Sequence, residues 1–216
     1  METNDNIMDF RERYSQIVTG NPPCLFEDAT MTEVVAGTLE VISGKLILDD
    51  PMLGLDAEEA EQASFTRAVK AGKYPVHVSS IYSEQTGTEI AYAWVRFSNE
   101  PVHSWEMALL PGDEAELSQL KEGEFLGTIT ESGLLILADQ KVLLQVNEME
   151  ETFMEMLETR FESGEDQFAE FNGMENGNCF CFVSSNGEGE YPTFWGLDAK
   201  QKPVVLLLDF MLEAIG

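Results

Sequence analysis

The segment Glu89-Ile-Ala-Tyr-Ala-Trp-Val-Arg-Phe-Ser98 sets Ile90, Tyr92, Trp94 and Arg96 on one side of an extended chain, and Ala91, Ala93, Val95 and Phe97 on the other. Side chains alternate between the faces of a strand. Both faces are therefore largely apolar, the pattern of an interior strand in a sheet covered on both sides. The neighbouring β-rich runs at 74–82 and 102–110, with turn clusters at 83–88 and 99–101, extend it into a β-meander. Upstream, runs at 33–42 and 45–48 surround Ser43-Gly44, a two-residue hairpin signal, and Asp49-Asp50-Pro51 closes the second run. Downstream, residues 125–130, 179–184, 191–196 and 203–210 read as further strands.

Elsewhere the period is helical. Ile7, Phe10, Tyr14 and Ile17 predict an amphipathic N-terminal helix over residues 6–18, stopped by Gly20, Pro22 and Pro23. Residues 56–62 read as a short, solvated helical turn. Over 137–162 the spacing predicts one long acidic helix, with Met149, Phe153, Leu157 and Phe161 as its apolar stripe and Gly164 as its stop. The opposite face carries Glu148, Glu150, Glu151, Glu155, Glu158 and Glu162 with only Arg160 to offset them, and Glu165 and Asp166 follow. An Asn- and Gly-rich loop is expected at 172–178. Strand runs broken by a few helices, without βαβ alternation, predict an α+β fold of mostly antiparallel sheet. With no Pro- or Ser-rich linker, residues 1–216 read as a single domain.

Charge narrows the function. Forty Asp and Glu face twelve Lys and Arg among 216 residues, a formal net charge of −28, and the isoelectric point is near 4.1. At 44 % apolar residues the chain can build a core, which a disordered acidic tail cannot. So acidic a surface repels phosphate, which argues against direct nucleic-acid binding and against attachment to anionic lipid. The first residues lack the apolar stretch of a signal peptide, and the apolar runs at 134–138 and 204–208 are far too short to span a membrane. A cytoplasmic location is expected. Cys24, Cys179 and Cys181 make neither a disulfide set nor a four-ligand zinc site, and the pair reads as two small hydrophobes on the core side of a strand.

Signals of catalysis are thin. No phosphate-binding loop, nucleophile elbow, metalloprotease helix or dinucleotide fingerprint occurs. His77 and His103 sit singly on expected strands, and the Asp49–Asp50 pair is one of many in a chain with 40 acids. The loop at 184–190 reads as a hairpin connection whose glycines supply positive φ, since Glu188 and Glu190 would repel an anion. Gly72-Lys73-Tyr74-Pro75 and Gly189-Glu190-Tyr191-Pro192 form a short repeat, each opening a strand where Pro is tolerated. An enzyme reading would place a carboxylate-rich, metal-assisted site near these loops, on Tyr74, Trp105, Glu106, Glu188, Tyr191 and Asp198. No resident metal or other cofactor is expected.

The chain resembles the bacterial domain-of-unknown-function family 4241 over about residues 38–210. The resemblance rests on Asp50-Pro51, Gly72-Lys73-Tyr74-Pro75-Val76, Trp105-Glu106-Met107-Ala108-Leu109, the block from Ser184 to Pro192, Trp195-Gly196-Leu197-Asp198-Ala199, and Asp209-Phe210. Where the family tends toward Ser-Gly-Trp-Gly-Asp-Gly, this chain has Ser-Ser-Asn-Gly-Glu-Gly, and Glu131-Ser132-Gly133-Leu134 stands where Asp-Ala-Gly-Thr is more usual. The resemblance carries over no catalytic residue. It implies a small cytoplasmic bacterial protein and is compatible with an immunity role in toxin systems.

Charge and resemblance together point to a binding protein, most specifically an immunity protein or inhibitor that neutralises a basic toxin such as a nuclease. Long-range attraction would speed its association with a basic protein partner. The expected contact is the acidic helix face: Glu148, Glu151, Glu155, Glu158 and Glu162, with Glu165 and Asp166. The oligomeric state is not readable from the sequence.

Overall fold

A computed structural model of the protein describes residues 10–19, 30–54, 57–84, 87–121, 124–175, 177–184 and 186–212. Along the chain these form α1 (Phe10–Val18), β1 (Thr30–Val41), β2 (Leu46–Asp49), α2 (Ala57–Gln62), β3 (Gly72–Ser83), β4 (Gly87–Arg96), β5 (Ser104–Met107), α3 (Glu114–Leu117), β6 (Gly127–Thr130), β7 (Leu134–Asp139), α4 (Gln140–Glu148), α5 (Glu150–Phe161), β8 (Phe168–Met174), β9 (Gly177–Val183), β10 (Gly189–Leu197) and β11 (Pro203–Asp209). The strands make two antiparallel sheets. One runs β1-β3-β4-β11-β10-β5, with β6 also on β10; the other runs β2-β7-β9-β8. The expected class holds: mostly antiparallel sheet with a few helices. The start of the N-terminal helix, the Gly20–Pro23 stop and Cys24 lie outside the described residues.

The alternation of side chains stacks these elements in four layers. Phe180, Phe182, Leu135 and Leu137 from the smaller sheet meet Val76, Ala93, Val95, Trp195 and Leu206 from the larger one, forming the core between the sheets. On the far side of the smaller sheet Ile136, Ala138, Cys179 and Cys181 pack under α2, α4 and α5. Across the larger sheet Tyr92, Trp94, Phe194 and Leu207 pack under α1 through Tyr14 and Ile17. Two covered faces explain why β4 is apolar on both sides, but a bulge at Ala91 exchanges the two expected faces there: Ile90 joins Ala93 and Val95 between the sheets, and Ala91 joins Tyr92 and Trp94. Both cysteines are fully buried on the helix-facing side, and burial pushes the Cys181 thiol well above its ordinary range.

Several local expectations are corrected by long-range pairing. Ser43-Gly44 does not close a hairpin: β1 pairs with β3 and β2 with β7, so the turn carries the chain from one sheet to the other. The buried Asp139 carboxylate holds that turn, accepting from the amides of Ile42 (2.9 Å), Ser43 (2.8 Å) and Gly44 (3.3 Å) and from the Ser43 hydroxyl (2.9 Å). It also caps α4 through the Lys141 amide at 3.0 Å. The meander stops after β3–β4, because β11 takes the free edge of β4 and β5 pairs with β10 instead.

The predicted 137–162 helix is a strand followed by two helices. Residues 134–139 form β7, which pairs with β9 over 134–138 and with β2 over 136–139. A continuous apolar run that leads into a helix has no period of its own to mark it as a strand. Met149, at φ −118° and ψ 31°, breaks the remainder, so Glu148 ends α4, Glu150, Glu151, Glu155 and Glu158 belong to α5, and Glu162 caps its C-terminus. The expected loop at 172–178 is largely strand, with a bulge between Phe171 and Met174 in the β8–β9 pair. The helical turn at 56–62 is not wholly solvated, since Ala60 is fully buried.

Candidate functional site

α5 is held from below and open above. Phe153 and Leu157, four residues apart, are buried beneath it. Phe153 meets Phe171 of β8 edge-on, with ring centroids 5.3 Å apart. The outward side exposes Glu150, Glu151, Glu155, Glu158 and Glu162, and Glu165 follows in the turn after the helix; Glu148 is exposed at the end of α4. Arg160, the one cation of α5, is bound to the half-buried Asp166 at 3.3 Å. Among the described residues no ion pair engages Glu151, Glu155, Glu158 or Glu162. The structure thus sets the predicted binding acids of α5 on one continuous surface, with Asp166 turned to Arg160.

Beside this helix runs an open groove of about 540 Å³. Its apolar lining is Met154, Leu157 and Phe161 from α5, Leu134 from β7, and Met52; Glu158 and Glu162 stand on its rim. Met52 and Leu53 remain 47 % and 45 % exposed. The turn that carries them is fixed by Asp50, which is buried although charged. Its carboxylate accepts from the Met52 amide (2.9 Å), the Glu131 and Ser132 amides (2.9 and 2.8 Å), and the Ser132 and Thr130 hydroxyls (2.7 and 2.9 Å). Burial alone would raise its pKa, but these donors, Ser132 foremost, hold it below the ordinary carboxylate range. Asp49 next to it lacks that cradle, and burial pushes its carboxyl up to about 6.

The six residues of the enzyme reading do not converge. Glu188 and Asp198 flank opposite ends of β10, ten positions apart, which is roughly 33 Å of strand. Trp105 and Glu106 are neighbours in β5 and point to opposite faces of the sheet. Trp105 is buried against α1 and donates from Nε1 to Ser15 Oγ at 3.0 Å. Glu106 pairs with Arg67. Asp198 caps the β10–β11 turn through the Lys200 and Lys202 amides (2.7 and 2.9 Å), which lowers its pKa.

Tyr74 and Tyr191 share one structural task. Tyr74 Oη donates to the Lys70 carbonyl and Tyr191 Oη to the Gly187 carbonyl, each at 2.9 Å and each four residues back. Each ring arches over the glycine two positions before it; a Cβ on Gly72 would meet Tyr74 Oη at 2.9 Å. The repeat is thus a twice-used tyrosine corner that pins the entry to a strand. It opens the two hairpins β3–β4 and β10–β11, which join through β4 and β11 at the middle of the larger sheet.

A buried polar cluster escapes the sequence reading as a site. Asp209, 2 % exposed, accepts from Arg13 Nη2 and from Tyr14 Oη, both at 2.9 Å, and ties α1 to β11. Burial raises the Asp209 pKa against the pull of Arg13, and raises those of Tyr14 and Tyr92 beside it. His77 stacks on Trp94 at 5.1 Å and meets Glu33 at 3.0 Å, while the exposed His103 precedes β5. Among the described residues no three His, Cys, Asp or Glu side chains gather as a metal-binding set. No described helix is long and apolar enough to cross a membrane.

Fold and surface together define a class: a two-sheet antiparallel protein, helix-covered on its outer faces, whose outward acidic helix borders an apolar groove. A family model described as "Protein of unknown function (DUF4241)" matches residues 39–208, and the chain belongs to that family. No curated protein and no solved structure matches the chain.

Proposed function

We propose that this chain is a cytoplasmic acidic binding protein, most specifically an immunity protein or inhibitor that neutralises a basic toxin such as a nuclease. One observation carries the reading: α5 turns Glu151, Glu155, Glu158 and Glu162 to solvent as one surface, and its single cation is already engaged by Asp166. With a net charge of −28 behind it, such a face attracts a cationic partner over distance and raises its encounter rate. Carboxylates on a rigid helix can also occupy the positions that phosphates take on a basic surface. Affinity purification of the tagged chain from its native cytoplasm, at low and then at high salt, tests this. The expected result is a basic protein retained at low salt and shed at high salt. An empty eluate under both conditions refutes the reading and returns attention to the loop carboxylates.

A further inference from the structure

We propose that the groove beside α5 seats an amphipathic, cationic helix of the basic partner. This rests on the binding reading above and names the part of the partner that reaches the surface.

Three features select that occupant. The groove is apolar at its base and acidic at its rim, so its complement has an apolar stripe flanked by Lys or Arg. Met154, Leu157 and Phe161 recur at i, i+3 and i+7, spanning roughly 10 Å or two helical turns. That length matches anchors one and two turns apart on an incoming helix. An extended strand gains nothing here: Leu134, the β7 residue in the groove, lies opposite Val183 of β9, its N–H and C=O are taken by the Ser132 and Thr130 hydroxyls, and the α5 backbone bonds to itself, so no free ladder edge is offered. A helix satisfies its own backbone and needs only side-chain contacts. Met52 and Met154 supply unbranched, adaptable side chains for them, and Asp50 keeps Met52 in the lining by fixing its amide.

The test uses fluorescence anisotropy with the full chain and three labelled synthetic peptides of about five helical turns. One carries Leu at i, i+3, i+4 and i+7 on a Lys background, the second scrambles the same residues, and the third is oligolysine. The amphipathic peptide should bind about tenfold more tightly than the scrambled one. Met52→Asp, at an exposed position and with the acidic rim intact, should erase most of that preference, and Met154→Gln should act in the same direction. Glu158→Gln with Glu162→Gln should weaken all three peptides and flatten their salt dependence. Equal binding of the amphipathic and scrambled peptides, or no effect of either methionine change, overturns the groove proposal and leaves the electrostatic reading standing. If no cationic peptide binds at low salt, the binding reading itself falls.

Discussion

Replacing Asp49 by Asn should stabilise the protein at neutral pH and have little effect in acid. Asp49 ends β2 opposite Ile136. Burial, helped by the charge of Asp50, pushes its carboxyl from the ordinary 3.8 to about 6, against the hydrogen bond it accepts from the Asp50 amide at 2.8 Å. A gap of about two pH units is worth roughly 3 kcal/mol at about 1.4 kcal/mol per unit. Partial exposure lowers this to roughly 1–2 kcal/mol. The folded pKa lies above the unfolded one, so the contribution of a protonated Asp49 is complete below about pH 4 and is lost as pH rises through 6. Asn stays neutral throughout and keeps an oxygen for the Asp50 amide. Urea denaturation of both proteins should therefore give similar stabilities near pH 4 and a gain of about 1–2 kcal/mol for Asp49→Asn at about pH 7; the other carboxyls cancel in the difference. Equal midpoints at neutral pH, or a deficit that does not change with pH, would refute the reasoning.

Other outcomes follow from buried polar groups. Thr193 Oγ1 faces the core between the sheets with no hydrogen-bond partner among the described residues. Thr193→Val, of nearly the same shape, should raise stability by about 1 kcal/mol in urea melts. Asp139→Asn turns an amide toward the donors of the 42–44 turn and should cost at least about 3 kcal/mol, read as a lower urea midpoint. Tyr74→Phe and Tyr191→Phe each remove one corner hydrogen bond. Each should cost about 1 kcal/mol, and the double variant should show the two costs adding, since the corners open separate hairpins.

Legibility in the sequence follows the range of the interactions. The two-sided apolar pattern of residues 89–98 marks an interior strand because alternation is local, and both faces are covered; the bulge at Ala91, which moves Ile90 to the other face, depends on pairing with β3 and is not legible. The Gly-x-Tyr-Pro repeat is legible as a strand entry, but its hydrogen bond to the carbonyl four residues back emerges only with the backbone in place. Residues 134–139 resemble the start of the following helix because an unbroken apolar run has no period. Asn172-Gly173 reads as a loop signal, yet Gly173, at φ +99°, serves a bulge inside a strand pair. Ser43-Gly44 looks like a hairpin turn, and its true role depends on Asp139, 96 positions away.

The site divides in the same way. The acidic face of α5 is readable from helical spacing alone. The groove is not, because Leu134 and Met52 reach it from distant parts of the chain. Nor can spacing show which of the 40 acids are buried: Asp50, Asp139 and Asp209 owe their roles to donors at 131–132, 42–44 and 13–14.

Parallel capture with two variants of equal charge separates the α5 face from the rest of the acidic surface as the seat of a basic partner. In one, Glu151, Glu155, Glu158 and Glu162 become Gln; in the other, Glu100, Glu114, Glu116 and Glu188, all exposed and outside α5, become Gln. The second variant should recover the same basic partner as the unaltered chain at low salt, while the first loses it. Equal loss in both, or full retention by the first, would contradict α5 as that seat.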